Sequence, residues 1–310
     1  MKLSFRWYGL NDSIPLEYIR QIPNMSTIVT SVYDKKAGEV WEESSLLKLK
    51  AVCEKNGLKM EVIESIPVSE DIKMGTEKRD AHIEAFKKNL ELCAKNGVKV
   101  VCYNFMPVFD WLRTDMHHVL FDGSNALSYS RDDFDKVDPK HLHLPGWDES
   151  YSPDELQDLL EKYKHISHEQ LFANLVYFLN QIMPICDQYG ISMAIHPDDP
   201  PWDVFGLPRI ISNEEDLDKL FAAVPDIHNG LTLCTGSFGA GRAAPEKRTA
   251  RPDGCAEPGT SGRSQQAGGS QRQGAERIHH RNHRRRRCES GDQQQLRPCR
   301  HWREGQRFGY

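Results

Sequence analysis

A histidine and a cysteine end two consecutive segments of the chain that have the composition of buried strands. His196 ends residues 192–196, and Cys234 ends residues 230–234. An imidazole and a thiolate together suit a borderline divalent transition metal, whereas carboxylates alone would suit magnesium. We therefore interpret His196 and Cys234 as metal ligands. The alternatives are a core histidine hydrogen-bonded to a neighbouring strand and one more buried thiol.

Four further side chains are candidates for binding a substrate. Trp7, Glu64 and Asn104 end or follow predicted strands, and Asp198 lies in the Pro-Asp-Asp-Pro-Pro loop after His196. Ligands of parallel βα folds bind at the carboxyl ends of the strands. Glu64 is costly to bury without a partner, which would be a substrate hydroxyl or a basic side chain at the next strand end. Alternatively, Glu64 is a helix N-cap or a solvated loop acid. No residue is assigned as the general base.

The segments around these residues predict the fold. Six short runs rich in β-branched and aromatic residues predict buried strands at residues 3–8, 27–32, 59–64, 99–105, 192–196 and 230–234. Helical patterns lie between them at residues 46–56, 79–96, 153–163 and 168–189, several followed by a glycine such as Gly57, Gly97 or Gly190. This alternation predicts an α/β fold, a TIM-type (β/α)8 barrel that is incomplete here, with about six βα units over residues 1–241.

One long stretch, residues 106–152, breaks this alternation. It is rich in Asp, His, Pro and aromatic residues, and we predict an irregular loop that acts as a lid over the site. His117 and His118 within it are sequence neighbours, so both cannot easily face one metal ion. His141 and His143 are equally weak candidates.

The charge of the chain is unevenly distributed. Residues 1–242 carry 25 Lys and Arg against 38 Asp and Glu, whereas residues 243–310 carry 15 against 7. Fourteen of those 15 cations are Arg, and this last segment contains no Val or Met. It cannot bury enough apolar surface to offset a backbone ordering entropy of about 1–2 kcal/mol per residue. We predict that residues 242–310 form a disordered basic tail, most simply explained by a shift of reading frame near Ala240.

Sequence features also predict the location of the protein. No secretion signal follows Met1, and no run of about 18 uncharged apolar residues could cross a membrane. Eight cysteines in 310 residues are not the dense framework of a small secreted protein, and Cys53, Cys93, Cys102 and Cys186 lie among apolar neighbours. We predict a cytoplasmic protein in which these four thiols are buried. Self-association into a homo-oligomer stays open.

Several long motifs, in this order, resemble those of the mannonate dehydratase family over residues 1–241. They are Phe5-Arg6-Trp7-Tyr8-Gly9, Ile63-Glu64-Ser65, residues 102–111, Leu144-Pro145-Gly146-Trp147, residues 196–202 with 205–210, and Cys234-Thr235-Gly236-Ser237. The resemblance implies a xylose-isomerase-like barrel that dehydrates D-mannonate to 2-dehydro-3-deoxy-D-gluconate in hexuronate (glucuronate) catabolism. It implies Mn²⁺ or Fe²⁺ as the cofactor and places metal ligands on His196 and Cys234.

The resemblance also implies two further metal ligands, in a His-x-Arg-Asn motif and an Arg-Pro-Asp-His-Gly motif on the last two strands. Residues 279–282 match the letters of the first motif, but they lack a preceding strand pattern and lie beside an arginine run. Residues 251–254 resemble the second motif without its histidine, and they precede the first motif instead of following it. Because half a ligand set is not a metal site, we expect impaired activity in this chain.

Two other functions remain as alternatives. The arginine run at residues 284–287 could hold nucleic acid through its phosphates, but without interleaved aromatic residues it is weak evidence for recognition, and we expect no such partner. Another barrel enzyme, such as a sugar isomerase, would use carboxylate-rich metal ligands, and Cys234 argues against it. We therefore expect a sugar-acid substrate. We also expect Glu64, Asn104, His196 and Cys234 to converge on one cavity at the carboxyl ends of the strands.

Overall fold

The structure is a computed structural model that describes residues 2–134, 136 and 151–242, apart from the side chains of Pro153 and Arg242. Several predictions lie outside the described residues. They concern His141 and His143, the motif at residues 144–147, and the segment from residue 243 onward with its two partial motifs and arginine run. They stay predictions.

Six parallel strands form one sheet in the described part of the chain, in the order β1-β2-β3-β4-β7-β8, and β5 pairs with β6 in a separate hairpin. The bounds are Leu3–Arg6 for β1, Met25–Thr30 for β2, Lys59–Glu64 for β3, Val100–Tyr103 for β4, Asp115–Val119 for β5, Asn125–Ser128 for β6, Ser192–Ile195 for β7 and Asn229–Leu231 for β8. Each sheet strand overlaps a predicted one, but β8 ends at Leu231, so Cys234 follows this strand instead of ending it as predicted. Neighbours in the sheet also follow each other along the chain, as in a barrel, so the predicted α/β fold of successive parallel βα units is confirmed.

Helices fill most of the connections between these strands. They are α1 (Leu16–Ile19), α2 (Glu43–Lys55), α3 (Glu70–Met74), α4 (Arg79–Lys95), α5 (Arg131–Phe134), α6 (Pro153–Tyr163), α7 (His168–Tyr189), α8 (Glu214–Ala223) and α9 (Thr235–Arg242). The four predicted helices are α2, α4, α6 and α7. Within the described ranges, no helix combines the length and apolar character that crossing a bilayer requires.

Local capping explains why α6 and α7 begin and end where the sequence predicts. The Ser152 hydroxyl accepts from the Glu155 backbone N–H, and the Glu155 side chain accepts from the Ser152 N–H, which is a complete capping box at the start of α6. The Ser167 hydroxyl caps α7 in the same way, and Gly190 ends that helix in the left-handed conformation at φ 62°. These bonds satisfy backbone groups that a helix end would otherwise leave unpaired.

The two faces of the sheet are buried to different degrees. Ile63 and Tyr103 point toward the helices and are 0% and 1% exposed, and the Tyr103 ring packs edge-on against Phe178 of α7. Val62 and Glu64 alternate with Ile63 along β3, so they point to the opposite face, which we call the inner face, and both are only partly buried. The main hydrophobic core therefore lies between the sheet and the helices.

The stretch from residue 106 is not irregular throughout, which corrects one prediction. Residues 115–128 form the antiparallel hairpin β5–β6, in which Asp115 pairs with Ser128 and Val119 with Asn125. Its turn places Gly123 at φ 83°, a conformation that glycine adopts without a steric penalty. The dipeptide Asp122-Gly123 is a hairpin turn signal that the predicted irregular loop did not take into account.

The beginning of this stretch is fixed to the barrel by a second hydrophobic cluster and by a buried ion pair. The cluster contains Val108, Phe109 and Leu112 together with Leu156 and Tyr163 of α6 and Val204 and Leu207 of the loop after β7.

The ion pair joins two residues of α3. Lys73 is 3% exposed, and its Nζ lies 2.7 Å from Glu70 Oε1 and 2.8 Å from the Met106 carbonyl oxygen. The other Glu70 oxygen accepts from the Tyr163 hydroxyl and, at 3.3 Å, from the Val108 N–H. The charges of α3 thus hold the start of the predicted lid in place.

Candidate active site

Four polar side chains meet on the inner face of the sheet near the carboxyl ends of the strands, and we call them the inner polar layer. They are Arg6 of β1, Glu64 of β3, Cys102 of β4 and Thr232 after β8. Arg6 Nε lies 3.6 Å from Glu64 Oε2, and the Thr232 hydroxyl donates to Cys102 Sγ at 3.1 Å. Glu64 is opposite Cys102 in the register of β3 and β4. The predicted basic partner of Glu64 is therefore present, but it comes from β1, across β2, instead of from the neighbouring strand end.

Electrostatic interactions connect this layer to Cys234. The pKa of Cys102 is raised to about 12, chiefly by burial and also by the Glu64 carboxylate and Cys234, while the Thr232 hydrogen bond and Arg6 act to lower it. Cys102 is therefore a neutral thiol at pH 7, in electrostatic range of all three groups. The prediction that Cys102 is buried is confirmed, as it is for Cys53, Cys93 and Cys186.

His196 presents one ring nitrogen to the strand ends. Its Nδ1 lies 2.7 Å from the Pro197 carbonyl oxygen. Since a carbonyl oxygen can only accept, Nδ1 carries the proton, and the lone pair of the neutral ring is on Nε2. Metal-binding histidines commonly donate their second ring N–H to a backbone carbonyl in this way. The backbone N–H of His196 continues the sheet by donating to the Tyr103 oxygen at 2.6 Å.

Cys234 lies directly before α9 and follows β8. Its Sγ accepts from the Ser237 hydroxyl at 3.3 Å, and the residue is partly exposed, unlike Cys53, Cys93 and Cys186. The thiolate is the form of a cysteine that binds metal. Position and surroundings are thus compatible with the predicted ligand role of Cys234.

The donor set in the described residues is incomplete for a metal ion. Neutral imidazole Nε2 and a partly exposed thiol are suitable donors, but within residues 2–134 and 151–242 no group of three His, Cys, Asp or Glu side chains could hold a metal. His196 directly follows β7, and Cys234 lies between the adjacent parallel strand β8 and α9, so both come after the carboxyl ends of these strands. The metal site and the single cavity stay predictions.

The structure gives Trp7 and Asn104 different surroundings. Trp7 is 4% exposed and belongs to the main hydrophobic core, so its ring has a packing role. Asn104 is partly buried, follows β4 beside His196 in the register, and its side-chain oxygen accepts from the Met106 N–H at 3.3 Å. Substrate binding by either residue stays a prediction.

Asp198 is turned away from the strand ends into the protein. It is 2% exposed, and its Oδ2 accepts from the backbone N–H groups of Ile210 and Ile211, both at 2.7 Å, and from the Ser212 hydroxyl at 3.2 Å. Burial raises the pKa of Asp198, while the nearby Arg209 guanidinium and these hydrogen bonds lower it. The carboxylate therefore holds residues 210–212 against the loop after β7, and its predicted contact with substrate stays a prediction.

Sequence analysis missed two groups that the structure brings to this end of the sheet. Arg6 is a single charge in an otherwise apolar strand, which is the signal that could have found it. Arg113 forms a two-pronged ion pair with Asp199, with Nη1 2.9 Å from Oδ1 and Nη2 2.8 Å from Oδ2. The Arg113 pair carries no signal in the sequence, because its partners are 86 residues apart.

Comparisons with known proteins agree with this arrangement. The family model described as D-mannonate dehydratase (UxuA) matches residues 1–246. This chain belongs to the mannonate dehydratase family. It is 49% identical over 245 residues to mannonate dehydratase 2 of Halalkalibacterium halodurans and 50% identical over 241 residues to the mannonate dehydratase of Streptococcus suis strain 05ZYH33. A crystal structure of the mannonate dehydratase from Streptococcus suis serotype 2 superposes with a TM-score of 0.71 at 47% identity.

The match covers only part of these mannonate dehydratases. The aligned residues are 78% of this chain and 71% of the Halalkalibacterium protein, and 77% of this chain and 66% of the Streptococcus protein. For the crystal structure the shares are 77% of this chain and 65% of that chain. The chain thus spans about two thirds of the length of the mannonate dehydratases it matches.

The ion pair of Arg113 with Asp199 yields a prediction about the start of the lid. We expect Arg113→Lys to keep the positive charge but to lose the two-pronged hydrogen bonding to Asp199. The local stability of residues 106–113 should fall by about 1 kcal/mol. Hydrogen exchange of the backbone amides in that range, measured by mass spectrometry, should become about fivefold faster. The exposed Arg20→Lys serves as the control and should leave these rates unchanged. Unchanged exchange in Arg113→Lys would show that the hydrophobic cluster alone fixes this segment.

Proposed function

We propose that this protein is a metal-dependent hydro-lyase that removes water from D-mannonate to give 2-dehydro-3-deoxy-D-gluconate, as a step in hexuronate breakdown in the cytoplasm. The observation that carries the proposal is the family match over residues 1–246 at about 50% identity to mannonate dehydratases. The inner polar layer supports it, because it offers an anion-binding cation and a hydroxyl-binding carboxylate at the end of the sheet where βα enzymes bind substrates.

The chemistry of this dehydration defines what the site must supply. A proton leaves the carbon next to the carboxylate, a hydroxyl leaves the following carbon with a proton, and the general acid and base are unassigned. A divalent cation, Mn²⁺ or Fe²⁺, would stabilise the negative charge that develops as the proton leaves. His196 through Nε2 and Cys234 through Sγ are the two described residues proposed to hold it.

The side chains proposed to contact the sugar acid are Glu64, on the inner face, and Asn104, directly after β4. Both are partly buried, and a carboxylate and an amide can accept from or donate to sugar hydroxyls. Trp7 and Asp198 act behind them in this proposal. Trp7 packs beneath the end of β1, and Asp198 fixes the loop that follows His196.

The metal assignment can be tested without activity, through the reactivity of Cys234. Alkylation with iodoacetamide, followed by peptide mass spectrometry, gives a separate rate for each cysteine of the 310-residue chain. At a Mn²⁺ concentration about ten times the dissociation constant, the rate at Cys234 is expected to fall about tenfold, because a metal-bound thiolate is not free to react. In His196→Ala, the same concentration should leave the Cys234 rate nearly unchanged.

Cys102 is the internal control for this experiment. It should stay unlabelled in every sample, because it is buried and its pKa of about 12 keeps it a neutral thiol. Labelling of Cys102 would reveal unfolding. Equal Cys234 rates with and without Mn²⁺ and Fe²⁺ in the unmutated chain would remove Cys234 from the ligand set.

A further inference from the structure

Arg6 has a guanidinium that the described protein groups satisfy only in part. Its Nε faces Glu64 Oε2 at 3.6 Å, which is an ion pair but too long for a good hydrogen bond. The guanidinium also lies over the Tyr8 ring, 5.0 Å from its centroid, and near the Tyr33 hydroxyl. The Nη1 atom is shielded from solvent and has no hydrogen-bond partner in the described part of the chain. A shielded charged N–H is costly unless a ligand or water completes it.

The other buried or partly buried cations around the strand ends are already engaged. Lys73 donates to Glu70 and to the Met106 carbonyl, and Arg113 binds Asp199 with two hydrogen bonds. Arg209 donates to the Phe109 carbonyl through Nη2, and its Nε and Nη1 have no partner among the described residues, but at 5% exposure it is closed to an incoming anion. Arg6 differs from them because it lies in the inner polar layer and is 29% exposed there. An incoming anion can therefore reach it.

We propose that Arg6 binds the carboxylate of the sugar acid, while Glu64 beside it accepts from an adjacent hydroxyl. This inference deepens the proposed function and rests on it. The planar guanidinium matches a carboxylate with two parallel N–H donors, which an ammonium group cannot reproduce. Glu64 occupies the Nε side of the guanidinium, and like-charge repulsion keeps the negative end of the ligand away from that carboxylate. The pair thus selects an acid over a neutral polyol of the same carbon skeleton.

Equilibrium binding to the full 310-residue chain, measured by calorimetry or ligand-observed NMR, tests this specificity. The probes are D-mannonate, its C2 epimer D-gluconate, and the neutral D-mannitol. We expect Arg6→Met to weaken D-mannonate binding at least about tenfold and to leave D-mannitol binding unchanged, because hydrogen bonds between two charged groups are the strong class. The D-mannonate affinity of Arg6→Lys should lie between those of Arg6→Met and the unmutated chain.

Arg79→Met is the matched control. Arg79 has a similar exposure of 26%, pairs with Asp80 at 3.2 Å and stacks over Tyr177 at 3.6 Å, but it lies on α4, outside the inner polar layer. The Arg79→Met chain should bind D-mannonate with the affinity of the unmutated chain. Thermal unfolding should show that Arg6→Met and Arg79→Met are both folded.

Each outcome separates this inference from the proposed function. If the chain binds both sugar acids equally and Arg6→Met weakens both, the role of Arg6 stands and selectivity for mannonate fails. Should D-mannonate bind with unchanged affinity to Arg6→Met, the role of Arg6 is overturned while the function stands. The inference is also overturned if the unmutated chain binds D-mannitol as tightly as D-mannonate. It is likewise overturned if the unmutated chain binds neither compound.

Discussion

The 310-residue chain is expected to dehydrate D-mannonate about 100-fold more slowly, or worse, than a chimera in which residues 1–241 are joined to the matching C-terminal part of the Streptococcus suis mannonate dehydratase. The reason is the ligand set, since His196 and Cys234 are the only two of the four family-implied ligands whose motifs follow a predicted strand in this sequence. Loss of even an outer-shell partner of a metal ligand costs about 10–100-fold in affinity or activity. Formation of 2-dehydro-3-deoxy-D-gluconate with added Mn²⁺ measures both rates.

Two variants of the chimera make the comparison interpretable. His196→Ala should abolish turnover of the chimera, whereas the exposed Arg20→Lys should leave it unchanged. Equal rates for the 310-residue chain and the chimera would contradict the prediction, and would mean that residues 243–310 supply the remaining ligands. His279 and His280, in the partial His-x-Arg-Asn motif, would then be the first residues to mutate.

Lys73→Met is expected to destabilise the folded body by about 3–5 kcal/mol, because it leaves the Glu70 carboxylate buried without its cation. The side chains of Lys73 and Glu70 are 3% and 10% exposed, so solvent screens this pair weakly. The variant also lacks the hydrogen bond from Lys73 Nζ to the Met106 carbonyl oxygen. The start of the predicted lid is therefore held less firmly. Equilibrium unfolding in urea measures the change in the free energy of unfolding.

The chain provides a matched control for Lys73→Met. Lys87 pairs with Glu84 at 2.6 Å with the same three-residue spacing, but the Glu84 side chain is 63% exposed. Lys87→Met should therefore cost less than about 1 kcal/mol. The double variant Lys73→Met with Glu70→Gln should recover part of the loss, since no unpaired charge remains buried. If Lys73→Met lowers the free energy of unfolding as little as Lys87→Met does, water reaches the ion pair of Glu70 and Lys73.

The helices and strands of this protein and their order follow from local patterns in its amino-acid sequence. Strand β3 and helices α6 and α7 have the predicted bounds to the residue. The physical reason is local, because uninterrupted β-branched runs, a capping box and a left-handed glycine act within a few neighbouring residues. The family also follows from the sequence, since long motifs preserve their order along the chain. Positions at or directly after a strand end follow from the same local signals for Glu64, Asn104 and His196, whereas Cys234 lies beyond the end of β8.

Which of these side chains meet depends on how the strands and loops pack together. Arg6 reaches Glu64 across β2, in a sheet where the register shifts between Leu3 and Ser4 and again between Ile28 and Val29. No local pattern encodes such shifts, because they depend on how neighbouring strands pack. The carboxylate of Asp198 likewise turns to the backbone of Ile210 and Ile211, 12 and 13 residues further along the chain. Its buried position satisfies those N–H groups, and that requirement arises only once the loop is folded against the sheet.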